Sequence, residues 1–211
     1  MKDRLIGLTY AMVVLFAVCC QASYAGGKWN AAGTFVEGCS CMGVCPCELT
    51  GVKDGCEGLG AMMLGTGSSY DGVDLSGVKI VYASAIGQWV RLYVDAPDAK
   101  KNKAARDFAS SYYKGFGKVE AVNDASIDWT GKDGKYTVLI GKGDLMKLVT
   151  EPVLGGDGKT PITHTNTHSA LNPSVMQGKT VSASYKDGDT SITLEGSNSY
   201  FNTRMKSSGA F

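Results

Sequence analysis

The chain has 211 residues, and its 21 Lys and Arg against 20 Asp and Glu give a formal net charge of +1 at pH 7. A balance this close to neutral offers no basic face for nucleic acid and no polybasic patch for a membrane surface, so neither kind of partner is expected. A chain of this length buries a substantial core without covalent cross-links, so its seven cysteines are not needed to rescue stability.

Residues 1–25 are typical of an export signal. A charged start, M-K-D-R, precedes the apolar run L-I-G-L-T-Y-A-M-V-V-L-F-A-V-C-C, and Ser23 and Ala25 are small residues suited to the −3 and −1 positions of a cleavage site. The run is short for a membrane span, and no later run is long enough to be one. The sequence therefore predicts cleavage after Ala25 and a periplasmic or extracellular mature chain, a single domain over residues 26–211.

Most of this mature sequence is predicted to form short strands bounded by glycine and turn residues. The stretch Q-W-V-R-L-Y-V-D alternates strictly between two faces, as a half-buried strand does. The predicted strands cover residues 29–37, 60–67, 78–85, 88–95, 118–122, 135–141, 179–185 and 191–196.

One segment predicts a helix, around residues 97–114. Pro97 stands near its start and Gly115 at its end, and Ala104, Phe108 and Tyr112 fall at helical spacing with lysines on the opposite side. The expected fold is therefore mainly β (β-rich α+β), a single domain of antiparallel strands with one prominent helix.

The strand that begins at Trp29 runs directly into G-C-S-C-M-G-V-C-P-C-E, two C-x-C pairs separated by Met-Gly-Val. Thiolates are soft ligands that suit Cu(I) and Zn(II). Alternate residues of a flat strand lie about 7 Å apart, so the loop must curl to share one ion, which Gly43 allows and Pro46 stiffens. Met42 is a further soft ligand or an exposed loop residue. The candidate metal ligands are Cys39, Cys41, Cys45, Cys47 and Cys56.

Two other fates of these thiols stay open at this point. A tight hairpin about Gly43 would set Cys41 opposite Cys45 and Cys39 opposite Cys47, at separations that disulfides accept. An exported protein meets an oxidising compartment, but five cysteines cannot pair completely within one chain. The third alternative is reversible thiol–disulfide exchange, with Cys56 resolving a mixed disulfide.

The motif resembles that of a bacterial family, domain-of-unknown-function family 1326. The residues that carry the resemblance are G-C-S-C-M-G-V-C-P-C, the later D-G-C-E-G, and Y-D-G-V-D-L-S-G-V-K-I-V, which leads from a turn into a strand. The resemblance covers nearly all of the mature chain. It implies that the five mature cysteines are the functional residues, and it implies no particular activity.

The two histidines, His164 and His168, lie between Pro161 and Pro173 in a stretch that alternates with threonine, which favours extended or loop structure. Four extended residues cover about 13 Å, too far for both rings to bind one ion. Whether either joins the cysteine loop stays open.

The sequence carries no G-x-S-x-G elbow, no H-E-x-x-H motif and no phosphate-binding loop in a β-α-β context, so an enzyme of a familiar class is not expected. The predicted function is binding of a soft metal, Cu(I) first and Zn(II) second, for carriage or buffering, with a metal-handling protein as an expected partner. The alternative from another class is a structural or surface-interaction protein with a disulfide-stapled loop.

Overall fold

A computed structural model of the chain describes residues 27–51 and 55–211. The predicted export signal lies outside these residues. Strands make up 56% of the structure and helices 13%, which confirms the expectation of a mainly β, single-domain fold with one prominent helix. No helix in the described ranges is both long and apolar enough to cross a membrane.

The described residues form fourteen strands, two α-helices and two short 3₁₀ turns. The strands are β1 Lys28–Cys39, β2 Glu57–Leu64, β3 Ser69–Tyr70, β4 Val73–Asp74, β5 Lys79–Ala85, β6 Trp89–Asp95, β7 Lys118–Asp124, β8 Ile127–Lys132, β9 Lys135–Ile140, β10 Met146–Pro152, β11 Thr163–Thr165, β12 Ser174–Asp187, β13 Thr190–Glu195 and β14 Asn198–Ala210. The helices are α1 Pro46–Thr50 and α2 Ala99–Tyr113, and the 3₁₀ turns are Lys114–Phe116 and Gly141–Gly143.

All the strands belong to one sheet, in the order β7-β6-β5-β2-β1-β14-β12-β10-β9-β8. The short strands β11 and β13 pair with β12, and β3 pairs with β1 and β4. Among the described pairs, β6 and β7 are parallel and the others antiparallel. The parallel pair is the one joined by α2, because a parallel connection needs a long crossover.

The helix α2 lies within the segment predicted from the sequence. Asp98 caps its N-terminus by accepting a hydrogen bond of 2.9 Å from the backbone N–H of Lys101. Its apolar side buries Ala105, Phe108 and Tyr113 against one face of the sheet. The spacing of these residues thus fixes which side of the helix meets the core.

The opposite face of the sheet builds a second core, since successive side chains of a strand point to opposite faces. This core combines Leu59, Val81 and Tyr93 from one half of the sheet with Val138 and Leu148 from the other. The sheet therefore curls, so that its two halves pack against each other in this second core.

Strand β1 lies in the middle of the sheet, between β2 and β14. Its register with β14 shifts between Gly33 and Phe35, a β-bulge that bends the strand. Gly33 is required there, because a Cβ would lie 2.0 Å from the backbone oxygen of Met63. The strand ends at Cys39, so the cysteine loop begins directly at the end of a central strand of the sheet.

Candidate metal centre

Three elements converge to bring the five cysteines of the predicted site together. Cys39 is the last residue of β1 and pairs with Gly58 of β2, while Cys56 immediately precedes β2. Between these strands the chain forms the short helix α1, with Cys45 just before it and Cys47 as its second residue. The structure therefore has a helical turn where a hairpin about Gly43 was one expectation.

The sulfur atoms lie in contact with one another. Cys41 Sγ is 2.8 Å from Cys56 Sγ and 3.0 Å from Cys45 Sγ, and Cys47 Sγ is 3.7 Å from Cys56 Sγ. Two groups of three, Cys39/Cys41/Cys45 and Cys45/Cys47/Cys56, each have all their sulfurs within 4.8 Å of one another. The shortest of the measured contacts exceeds the disulfide bond length of about 2.05 Å, and the cysteines are present as thiols.

These contacts differ from the two rungs of the predicted disulfide alternative. Cys41 does approach Cys45, but Cys39 hydrogen-bonds to Cys45, whereas the predicted pairing set it opposite Cys47. Cys56, left over in that scheme, contacts both Cys41 and Cys47. The thiols therefore form one connected cluster, in which several pairings are within reach.

Hydrogen bonds among the thiols, together with burial, give Cys39, Cys41 and Cys45 different pKa values. The Cys39 thiol donates to Cys45 and lowers the pKa of Cys45 to about 5, with further hydrogen bonds from the Cys41 thiol and the backbone N–H of Cys47. The pKa of Cys39 is correspondingly raised far above its usual value by that same hydrogen bond and by burial. Burial is the main reason that the pKa of Cys41 is raised to about 11. At neutral pH, Cys45 is thus the thiolate on which a cation would first bind.

Strand β14, which is distant in sequence, holds the cysteine loop in place by hydrogen bonds. The hydroxyl of Tyr200 accepts a hydrogen bond from the backbone N–H of Cys45 at 3.0 Å and donates one to the backbone oxygen of Cys45 at 3.2 Å. The backbone N–H of Asn198 donates to the carbonyl of Cys41 at 2.9 Å. Both contacts join segments that are more than 150 residues apart in the chain, which fixes the curl that a C-x-C pair needs.

Two buried carboxyl groups lie beside the cluster. Glu37 Oε2 accepts a hydrogen bond of 2.6 Å from the Tyr82 hydroxyl, yet burial and the nearby Glu48 raise the pKa of Glu37 well above its usual value. Burial likewise raises the pKa of Glu48 to about 7. Glu48 Oε1 is enclosed and has no hydrogen-bond partner. The charged forms of both groups are therefore disfavoured next to the Cys45 thiolate.

A cavity of about 240 Å³ opens on the cluster. Its described wall includes four of the cysteines, the two buried glutamates and Glu57, and no Lys or Arg among the described residues. The described wall therefore carries no Lys or Arg that would repel a metal cation. The remaining residues of the wall are Gly51, Gly58, Tyr82, Ile86, Tyr112, Gly115, Phe116, His168, Ser169 and Ala170.

Neither histidine belongs to the two sulfur groups. His164 lies in β11, where its Nε2 is 3.0 Å from Gln177 Oε1 and its ring meets the edge of Tyr200. His168 packs against Gly51 and lines the cavity, and its backbone N–H donates to the carbonyl of Leu49 at 3.0 Å. The structure therefore places His168 in the wall of the cavity and His164 against Tyr200.

Sequence reasoning identified the cysteines but missed the residues that surround them. Glu37 had a usable signal, since it interrupts the apolar run F-V-E-G-C of a predicted buried strand. Glu48 directly follows the second C-x-C pair, which is a weaker signal that it belongs to the site. Tyr200 and Asn198 gave none, because only the pairing of β14 with β1 and β12 brings them to the loop.

Comparisons of the chain with protein-family models, with curated proteins and with solved structures find no match. The cluster's own geometry therefore carries the functional interpretation.

Proposed function

We propose that the protein binds a soft metal ion through Cys39, Cys41, Cys45, Cys47 and Cys56, with Cu(I) as the first candidate and Zn(II) as the second. The observation that carries this proposal is the convergence of the five sulfurs, in groups of three within 4.8 Å. Sulfurs bound to one ion at about 2.3 Å stand about 3.8–4.0 Å apart, so the present contacts need to widen by only about 1 Å. The described wall of the adjacent cavity has no Lys or Arg to repel an entering cation.

The role that fits this site is carriage or buffering of the ion, because the described wall of the cavity shows no constellation of a familiar enzyme class beside the thiols. Export to the periplasm or the exterior is proposed from the signal-like residues 1–25, and membership of domain-of-unknown-function family 1326 from the cysteine motif. A protein that donates or accepts the ion is the partner this role requires.

The test uses the mature chain, exported and purified without chelators or reductant. Elemental analysis and a thiol count are made on the same sample, beside a Cys41→Ser/Cys45→Ser variant. We expect close to stoichiometric copper or zinc in the wild type and loss of the metal in the variant, because the pair removes two sulfurs from one group and the shared sulfur from the other. Absence of metal after reconstitution with Cu(I) and Zn(II) under reducing conditions, with two disulfides in the untreated sample, would instead identify the loop as a staple.

One observation favours a second candidate, thiol–disulfide exchange. The pKa of about 5 makes Cys45 a thiolate at neutral pH, with the Cys41 thiol 3.0 Å away to resolve a mixed disulfide. Against it, Cys45 is only 2% exposed, so a protein disulfide has little access to its sulfur. Turnover of a small disulfide substrate by the metal-free protein would distinguish this activity from metal binding alone.

A further inference from the structure

The cluster holds more sulfurs than a single ion uses. A four-coordinate ion leaves one of the five thiols unbound, and a three-coordinate ion leaves two. All five nevertheless lie in contact, with Cys45 belonging to both groups and Cys41 of the first group 2.8 Å from Cys56 of the second. Cys39 is absent from the second group and Cys47 from the first. The number and arrangement of the sulfurs therefore exceed the needs of one ion.

We propose that the cluster binds two Cu(I) ions, one held by Cys39, Cys41 and Cys45 and the other by Cys45, Cys47 and Cys56, with the Cys45 sulfur bridging them. This inference rests on the proposed function, since it concerns the same thiols. In this arrangement the Cys45 sulfur binds both ions and each of the other four sulfurs binds one. Each ion therefore has three thiolate ligands, the soft ligands that Cu(I) prefers.

The same count predicts a different capacity for zinc. Zinc in structural sites takes four ligands in a tetrahedron. Two such ions that shared only the Cys45 sulfur, as proposed for Cu(I), would need seven sulfurs, and the cluster has five. With sulfur as the only kind of ligand, the expected capacity is therefore two ions for Cu(I) and one for Zn(II).

The test is an anaerobic titration of the reduced mature chain with Cu(I), against a Cu(I) chelator of known affinity, followed by elemental analysis after gel filtration. We expect two Cu(I) per chain and, in a parallel titration, one Zn(II). Cys39→Ser and Cys47→Ser each remove a sulfur from only one group, so each variant is expected to retain one Cu(I). Met42→Ala serves as the control from the same loop, because Met42 is 79% exposed, and it should still bind two.

A measurement on the wild type keeps the test independent of variant folding. X-ray absorption of the copper-loaded protein should show sulfur-only coordination and a short copper–copper distance, as a bridging sulfur requires. One Cu(I) per chain at saturation would overturn the two-ion inference and leave the proposed function intact. Two ions without copper–copper scattering would overturn the bridge, and no bound metal at all would overturn both proposals.

Discussion

Cys45 occupies the centre of the cluster at the scale of single residues. Its sulfur is shared by both groups of three, and its backbone N–H and C=O are both bound by Tyr200. The Cys39 thiol stabilises it as a thiolate, because a hydrogen bond donated to a charged acceptor favours the charged form. The metal-free cluster therefore already carries one negative charge, on the central Cys45 sulfur. An arriving cation is attracted most strongly to that position.

The pKa of Cys45 can be measured and perturbed. Titration of the reduced, metal-free protein by thiolate ultraviolet absorbance should show Cys45 ionising near pH 5, and Cys39 and Cys41 ionising well above neutrality. Cys39→Ala removes the main donor, and a hydrogen bond to a charged group is worth about 1.5–3 kcal/mol. At about 1.4 kcal/mol per pH unit, the midpoint should rise by roughly 1–2 units.

The control for this titration is Met42→Leu, which changes an exposed side chain of the same loop and should leave the midpoint unchanged. A wild-type protein in which no thiol ionises below pH 7 would contradict the prediction. The sign for stability follows from the lowered pKa: the contribution of Cys45 is present above the usual thiol pKa and is lost as the pH falls toward 5.

At the scale of elements, α1 is the feature that turns a cysteine-rich strand end into a cluster. Pro46 opens it in the position where a missing N–H costs nothing, and Gly51 closes it in the left-handed region at φ 76°. The His168 ring lies against the Cα of Gly51, so a Cβ there would come 2.6 Å from the ring. The end of the helix is thus packed as well as conformationally restricted.

Gly51→Ala should weaken the fold of the loop more than Gly43→Ala does. Both glycines have left-handed backbone, at φ 76° and 80°, so alanine costs each about 1 kcal/mol of conformational strain. Only at Gly51 does the new methyl meet a neighbour, since nothing lies within 4 Å of the position at Gly43. Urea unfolding of the reduced proteins should give an additional loss of about 1–3 kcal/mol for Gly51→Ala. Equal losses in the two variants would show that the His168 contact is unimportant.

The elements were predicted from the sequence where the signal is local. The spacing of Ala104 and Phe108 and the strict alternation of Trp89–Asp95 located α2 and β6 because burial on one face imposes those periods. The five residues of α1 could not be predicted in this way, since one helical turn has no period to detect. The C-x-C spacing alone fitted a hairpin equally well, and what decides against the hairpin is contact with distant residues.

At the scale of the whole molecule, the pairing of β1 with β14 controls the site. Cys39 ends the first of these strands, and Asn198 and Tyr200 begin the second, so the end of β1 and the start of β14 meet at the cysteine loop. The sequence identified all five cysteines but no residue of β14 near them, because strand order in a curled sheet is set by the whole core. The cysteines of the proposed site were therefore predictable, and the residues that position them were not.

Tyr200→Phe tests this long-range support directly. The change removes the hydroxyl that binds both backbone groups of Cys45 and leaves a buried N–H without its partner, a loss of about 1–3 kcal/mol. Because the ring itself is retained and is fully buried, the apolar packing of the strand should persist. We expect faster release of bound metal to a chelator and a lower midpoint of unfolding, whereas Tyr70→Phe in the core beneath α2 should leave metal release unchanged. If Tyr200→Phe released metal at the wild-type rate, the loop would hold its shape through α1 and the cysteines alone, and the contribution of β14 would be to the stability of the sheet.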